Sequence, residues 1–282
     1  MLFVAHKPIN ITSNAFLSQL KRRFHNKTLG FSGTLDPFAK GVLVIADSKH
    51  TRLFSHFDCS VKVYIATLWL GATSPTLDIT GNVSVREIPA FPISQIKNTL
   101  QSLRGKITYT PPNFSAKKVA GKRAYNLSRQ GVAFTLKPCE MEIFSIDFLS
   151  YNHPFLSFKV AVSKGAYIRS LGEIIAKRLG ESGILSALSR IKEGRFIFEN
   201  YKMLNPLDFL PYPRINLSHL QNDFYNGRKV HLPPDFAKFT SINHAKDSTK
   251  NTRYIAIFDK FFSIIQVNNG CVEYILNRIE LC

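Results

Sequence analysis

The most informative segment of the chain is Gly30-Phe31-Ser32-Gly33-Thr34-Leu35-Asp36-Pro37-Phe38-Ala39-Lys40-Gly41. Its three glycines and one proline predict a fixed loop, because these residues interrupt helices and strands. A basic helical pattern precedes the loop and an apolar strand pattern follows it. The loop therefore joins two different kinds of secondary structure near the start of the fold.

Asp36 is the only carboxylate among the first 46 residues, which contain six Lys and Arg side chains. An aspartate before a proline is common in turns, so a structural role explains it. A single acid held rigidly in a positive field is also suited to act as a nucleophile or a base. We expect the cationic surroundings to lower the pKa of Asp36 and keep it ionised. Both explanations remain open at this point.

The segments around this loop alternate between helical and strand-like patterns. Thr12-Ser13-Asn14 offers N-cap residues for a helix over 15–24, which ends in the basic triplet Lys21-Arg22-Arg23. The other predicted elements are strands at 41–46, 61–70, 156–162, 254–258 and 261–267, and helices at 93–103 and 168–179. This order predicts an α+β domain followed by a small β-rich module.

The charge of the chain indicates a polyanionic partner. Its 282 residues include 37 Lys and Arg against 19 Asp and Glu, a net charge of +18. The 45% of hydrophobic residues excludes a disordered chain. Nucleic acid and an anionic membrane surface both fit this charge. The membrane interpretation is the weaker one, because no basic amphipathic helix and no apolar run near ~20 residues is present.

The positive charge is concentrated before residue 212. Residues 1–211 contain 28 basic and 13 acidic side chains, whereas the remainder contains 9 and 6. A proline-rich segment at 205–213 separates the two parts and is typical of a linker. We expect two domains, 1–211 and 212–282.

The cysteines indicate neither a metal site nor a disulfide framework. Cys59, Cys139, Cys271 and Cys282 are widely spaced and form no Cys-x-x-Cys pair. The apolar run at 2–5 is too short for a secretion signal. We expect reduced thiols in a cytoplasmic protein.

Three further segments carry side chains suited to RNA. Arg169 begins an otherwise apolar helix, so it is either a surface arginine or the partner of an anion such as a phosphate or Asp36. Tyr64 follows Lys62 in a predicted strand and is either a core tyrosine or a stacking platform for an extruded base. The run 111–125 interleaves four cations with two aromatic residues, which suits an RNA-tracking loop or a solvated loop.

Together these segments resemble the TruB-type tRNA pseudouridine synthases, which isomerise uridine 55 in the T arm. The resemblance extends from Lys7-Pro8 to about residue 200. The segments that carry it, in the family's order, are 7–14, 30–41, 62–64, 71–81, 112–125 and 163–169. The clearest motifs are Gly-x-Leu-Asp-Pro-x-Ala-x-Gly at 33–41 and Ser-Lys-Gly-x-Tyr-Ile-Arg at 163–169.

The resemblance implies a pseudouridine-synthase fold, with a mixed, largely antiparallel central sheet flanked by helices and a small C-terminal β-rich PUA-like module. It implies that Asp36 is the catalytic aspartate, that Arg169 pairs with it and that Tyr64 stacks on the flipped uracil. The residues expected to bind substrate are Lys7, Phe31, Tyr167, Leu188, Lys117, Lys122 and Arg123. Lys7 and Tyr167 line the pocket or support it, and an ordinary core role explains Leu188 nearly as well.

The chain departs from the family pattern at several positions. Phe31 replaces the usual histidine of the catalytic loop, a residue expected to contact RNA rather than to perform chemistry. His6 and Asn10 replace the usual Asp and Gly of the opening motif, and Ser74-Pro75 replaces Thr-Asp. These changes leave the three catalytic candidates in place.

The predicted function is the isomerisation of uridine 55 in the T stem-loop of tRNA, through base flipping and an aspartate-dependent rearrangement of the glycosidic bond. The expected protein is a monomer that needs no metal or small-molecule cofactor and no membrane. The alternative is a non-catalytic tRNA-binding protein or tRNA-folding chaperone on the same fold. The tail resembles the PUA-like module only faintly, at 223–230. It either supports tRNA binding or simply packs on the catalytic domain.

Overall fold

The computed structural model describes residues 1–119, 121–233 and 252–281. Its strands are, in chain order, β1 (Leu2–Lys7), β2 (Leu29–Ser32), β3 (Lys40–Asp47), β4 (Val61–Leu70), β5 (Ala72–Thr73), β6 (Ser84–Val85), β7 (Gly105–Tyr109), β8 (Lys118–Val119), β9 (Lys122–Arg123), β10 (Cys139–Asn152), β11 (Phe155–Ser163), β12 (Gly183–Glu193), β13 (Arg214–Ile215), β14 (Arg253–Ile257), β15 (Phe261–Asn268) and β16 (Cys271–Glu280). Its α-helices are α1 (Ser13–Arg23), α2 (Ile93–Gln101), α3 (Ala124–Arg129), α4 (Ile168–Arg178) and α5 (Gln221–Asn226). Short 3-10 helices cover Ser48–Ser55, Pro206–Asp208 and Ser218–Leu220.

An eight-stranded sheet forms the larger part of the molecule. Its strands follow the order β1-β3-β12-β4-β11-β10-β7, and β2 pairs with β3 as well. All of its pairs are antiparallel except β3 with β12, which run parallel. The predicted α+β fold with a mixed, largely antiparallel sheet is therefore confirmed.

Helices cover the sheet where their apolar faces meet it. In α4 the buried residues Ile168, Leu171 and Ile175 recur at helical spacing and join the main core with β4 and β11. In α1, Phe16 and Leu20 pack on β1 and β3 in a separate apolar cluster. The Thr12 hydroxyl caps α1 by accepting a hydrogen bond from the Ala15 amide at 3.1 Å.

A second, four-stranded sheet has the order β13-β14-β15-β16. Phe262 and Ile264 on β15 share an apolar cluster with Leu2 and Val4 on β1, so this module packs directly on the larger sheet. The proposed boundary near residue 211 lies between the last strand of the first sheet and the first strand of the second. Since the contact is apolar, separating the two parts would expose core residues to water.

The structure also bears on two other expectations. Cys59, Cys139 and Cys271 are free thiols, and Cys282 lies outside the described residues. No helix within 1–119, 121–233 or 252–281 is long and apolar enough to cross a membrane.

Candidate active site

The loop between β2 and β3 holds Asp36 by anchoring its neighbours. The Ser13 hydroxyl donates a hydrogen bond to the Leu35 carbonyl and accepts one from the Leu35 amide, each at 3.0 Å. Leu35, Phe38 and Ala39 are buried in the main core. The Asp36 side chain itself remains 35% exposed. The loop therefore presents one partly exposed carboxylate while the residues around it are fixed.

Arg169, the second residue of α4, holds both oxygens of that carboxylate. Its Nε lies 2.9 Å from Asp36 Oδ2, and its Nη2 donates to Asp36 Oδ1 at 3.1 Å. The remaining hydrogen bonds of the guanidinium go to the Thr76 carbonyl at 2.7 Å and the Phe114 carbonyl at 2.9 Å. The contact with Asp36 is thus one hydrogen bond from Nη2 and one close ion-pair contact from Nε, and because Arg169 is only 4% exposed, the surrounding structure fixes it.

A second carboxylate, Asp78, lies on the other side of Arg169. Its Oδ2 is 3.4 Å from Arg169 Nη1, while its Oδ1 accepts hydrogen bonds from the Thr76 hydroxyl at 2.8 Å and the Thr80 amide at 2.9 Å. Asp78 falls in the segment 71–81 that resembles the family, but it was not among the predicted site residues. The available signal was an aspartate flanked at two-residue spacing by the threonines that now hold it.

Two other predicted site residues lie on the central strands. Tyr64 on β4 and Leu188 on β12 are each 6% exposed and lie in the same core cluster as Leu35. Burial raises the pKa of Tyr64, so its hydroxyl stays neutral. Tyr167 lies just before α4 and is half-buried. Burial raises the pKa of its hydroxyl, and the nearby negative charge of Asp36 raises that pKa as well.

Lys7 supports the loop from beneath. Its side chain is fully buried, and Nζ donates to the carbonyls of Pro8 at 2.8 Å, Ile11 at 2.7 Å and Pro37 at 3.4 Å. Burial lowers the pKa of Lys7 to about 8, although the nearby Asp36 carboxylate opposes the change. Of the two roles expected for Lys7, the structure favours support of the pocket over contact with substrate.

The expectation that the surroundings lower the pKa of Asp36 is wrong. Burial raises this pKa, and the neighbouring Asp78 carboxylate raises it further. Arg169 and Lys7 act in the opposite direction but do not overcome the loss of hydration. The sequence shows the cations near Asp36, whereas the burial and the second carboxylate arise only when distant segments meet.

A basic hairpin lies beside the site. It is formed by β8 and β9, and it exposes Lys117, Lys122 and Arg123 to solvent. The segment is tied to the site because the Phe114 carbonyl accepts a hydrogen bond from Arg169. Phe31, in contrast, lies on β2 and packs in part against the apolar cluster beneath α1.

Among the residues that the structure describes, no three His, Cys, Asp or Glu side chains are placed to hold a metal ion.

Comparison with solved structures places the fold in a class. The chain matches a chain of a Cbf5-Nop10-Gar1 complex with a TM-score of 0.64 and 18% identity, covering 99% of this chain and 84% of that one. It matches the archaeal box H/ACA sRNP Nop10-Cbf5 complex with a TM-score of 0.64 and 17% identity, covering 99% and 85%. These proteins and this chain therefore have the same fold.

The sequence then identifies the family. Residues 21–168 match the model of the TruB family pseudouridylate synthase N-terminal domain. The chain is 48% identical to tRNA pseudouridine synthase B of Helicobacter hepaticus, covering 99% of this chain and 95% of that protein. It is 43% identical to the protein of that name from Campylobacter jejuni, covering 100% and 99%. The chain belongs to the TruB family of pseudouridylate synthases, as its motifs predict.

Proposed function

We propose that this chain isomerises uridine to pseudouridine at position 55 in the T arm of tRNA. Family membership and the names of its relatives support the class of reaction and the class of substrate. One observation carries the assignment to a site: the partly exposed Asp36 carboxylate contacts Arg169 through both oxygens, beside the core cluster that contains Tyr64. We further propose that the protein acts as a cytoplasmic monomer with a catalytic domain at 1–211.

The reaction is an isomerisation whose atoms balance without a co-reactant. The bond between uracil N1 and ribose C1′ breaks, the detached base turns, and a bond forms between C1′ and C5. C5 loses a proton and N1 gains one. A base cannot turn within a stacked loop, so the nucleotide must first be extruded into a pocket.

Asp36 is the group that initiates the rearrangement. As a carboxylate near the ribose, it either attacks C1′ or removes the C2′ proton. Loss of hydration around this partly exposed carboxylate raises its pKa, so its ionised form is a stronger base than an ordinary aspartate, which favours both roles. Arg169 fixes its orientation, because both oxygens are held by one guanidinium.

The remaining site residues bind the extruded base and the RNA backbone. The Tyr64 ring provides an aromatic surface on which the extruded uracil stacks, and Leu188 provides an apolar wall. Lys117, Lys122 and Arg123 are exposed cations beside the pocket and contact phosphates of the T stem-loop. The module at 212–282 supports binding of the rest of the tRNA.

The proposal is tested with two tRNA transcripts that differ only at position 55, one carrying uridine and the other cytidine. After incubation with the protein, pseudouridine is detected by chemical derivatisation, since the isomerisation leaves the mass unchanged. We expect one modified site in the first transcript and none in the second. Modification elsewhere would contradict the position. Tight binding without product would favour the non-catalytic alternative, which the Phe31 substitution suggests.

A further inference from the structure

Three charged side chains meet in the interior beneath the loop that carries Asp36. Lys62 Nζ lies 2.9 Å from Glu193 Oε1, and Arg190 Nη2 lies 3.1 Å from Glu193 Oε2. The side chains of Arg190 and Glu193 are each 1% exposed, and that of Lys62 is 12% exposed. This buried triad has two cations and one anion, so Glu193 is the charge that makes the burial of Arg190 tolerable.

Arg190 also donates hydrogen bonds to the Asp36 loop and to strand β3. Its Nε donates to the Val42 carbonyl on β3, and its Nη2 donates to the Gly33 carbonyl, each at 2.9 Å. It lies opposite Tyr64 in the pairing of β12 with β4, and its charge is close enough to oppose the rise in the pKa of the Tyr64 hydroxyl. One buried side chain thus contacts the start of the Asp36 loop, the strand after it and the Tyr64 wall.

The backbone at Gly33 shows how closely the triad fits against the loop. Gly33 has φ +66, in the left-handed region that favours glycine. A Cβ at this position would lie 2.8 Å from Glu193 Oε1 and 2.9 Å from Lys62 Nζ. The turn three residues before Asp36 therefore rests directly on the two charged groups.

We propose that Glu193 is a positioning residue for the reaction: it orients Arg190, which in turn fixes the Gly33 turn and the Tyr64 hydroxyl relative to each other. Glu193 touches neither the substrate nor the reacting atoms in this scheme. The effect of Glu193 on turnover rests on the function proposed above. The effect of Glu193 on the Gly33 turn does not, because it is a property of the folded protein without substrate.

The test replaces Glu193 by Gln, which keeps the shape of the side chain and removes its charge. The matched control is Glu199→Gln, in an exposed ion pair with Lys202. Because small displacements of catalytic groups cost much rate, we expect the single-turnover rate of Glu193→Gln to fall roughly 10- to 100-fold while the Kd for tRNA changes less than about 2-fold. A rate within about 2-fold of the Glu199→Gln control would overturn the proposal.

Two further measurements separate positioning from general stability and from the proposed function. Lys62→Met/Glu193→Gln restores the net charge of the triad, so its Tm should recover towards that of the wild type while its rate stays low. A rate that recovers together with Tm would assign Glu193 a structural role only.

Amide hydrogen exchange at 33–36 should be faster in Glu193→Gln than in the wild type. Unchanged exchange refutes the positioning role, even if the wild-type protein proves inactive on tRNA.

Discussion

At the scale of single residues, the site is a compact set of opposed charges. Arg169 lies between Asp36 and Asp78, and Lys7 lies close enough to Asp36 to influence its pKa. Two carboxylates are thus balanced by two cations, so the interior of the site carries little net charge although the protein as a whole is strongly basic. Arg169 restrains the Asp36 carboxylate but does not bring its pKa below the ordinary value, because the loss of hydration outweighs the effect of the guanidinium.

These pKa shifts predict a bell-shaped pH profile for turnover. Asp36 must be ionised, and its raised pKa places the acidic limb of kcat/KM above the ordinary carboxyl value of about 3.9. Activity should also fall as pH rises past about 8, where Lys7 loses its proton and one of the three N–H donors that hold the loop carbonyls. Measuring tRNA binding by Asp36→Asn over the same range separates catalysis from affinity. An acidic limb at or below the ordinary carboxyl value would contradict the burial argument.

At the scale of secondary-structure elements, the parallel contact of β3 with β12 sets the position of the loop. Gly41 on β3 lies opposite Arg190 on β12 and has φ +116. A Cβ on Gly41 would lie 2.2 Å from the Arg190 carbonyl oxygen, so the two strands approach as closely as they do only because this residue has no side chain. The same strand pair brings the loop to Tyr64 and Leu188.

Gly41→Ala should therefore lower both stability and turnover. Overpacking by a methyl group costs about 1–3 kcal/mol, which corresponds to a fall in Tm of roughly 2–10 °C for a chain of this size. The control is Gly105→Ala, because Gly105 has φ +99 but a Cβ there meets nothing within 4 Å. Thermal unfolding should show the larger loss for Gly41→Ala. Equal losses would mean that backbone strain alone, and not strand contact, explains the glycine.

The elements themselves were largely predictable, whereas their assembly was not. Helix α1 was predicted from the helical spacing of Phe16 and Leu20, and strand β4 from the alternating pattern at 61–70. Both predictions succeeded because local periodicity determines which face of an element is buried. Strands β10 and β12 were not predicted, because charged residues interrupt their apolar pattern. In β12 those charges include Arg190 and Glu193, which are buried only because they pair with each other and with Lys62.

The site, like the fold, was predictable from the sequence only in part. The motifs predicted Asp36, Tyr64 and Arg169 as one set, and the structure brings Asp36 into contact with Arg169 and places Tyr64 in the adjoining core. The pKa of Asp36 was not predictable in this way, because it depends on burial and on Asp78, 42 residues further along the chain. Sequence motifs therefore identify candidate reactive groups, whereas the hydration of those groups depends on tertiary packing.

At the scale of the whole molecule, the charge excess and the site have separate roles. The net charge of +18 lies mostly in residues 1–211, where the exposed hairpin of β8 and β9 adds cations beside the pocket. The C-terminal sheet contributes a smaller share and packs on β1 through an apolar cluster. In the proposed function, exposed cations of the surface attract tRNA over long range, and the reaction takes place at the nearly neutral site around Asp36.

Replacing Lys117, Lys122 and Arg123 together by Ala should weaken tRNA binding and its dependence on salt. Each lost phosphate contact lowers the slope of log K against log salt by about 0.7–0.9, so the triple variant should lose a slope of roughly 2–3. The control is Lys177→Ala/Lys202→Ala, which removes exposed cations already paired with Glu173 and Glu199. Equal slopes for the two variants would show that the hairpin does not contact the RNA backbone.

The central claim is that Asp36 performs the chemistry and the rest of the site holds it in place. Asp36→Asn tests this claim most directly, with Asp147→Asn, at an exposed position on β10, as the matched control. Both variants are incubated with a tRNA transcript that carries uridine 55, and binding and pseudouridine content are measured on the same samples. We predict that Asp36→Asn binds tRNA within a few-fold of the wild type and forms no pseudouridine, while Asp147→Asn retains activity. Formation of pseudouridine by Asp36→Asn at a rate near that of the wild type would contradict the account.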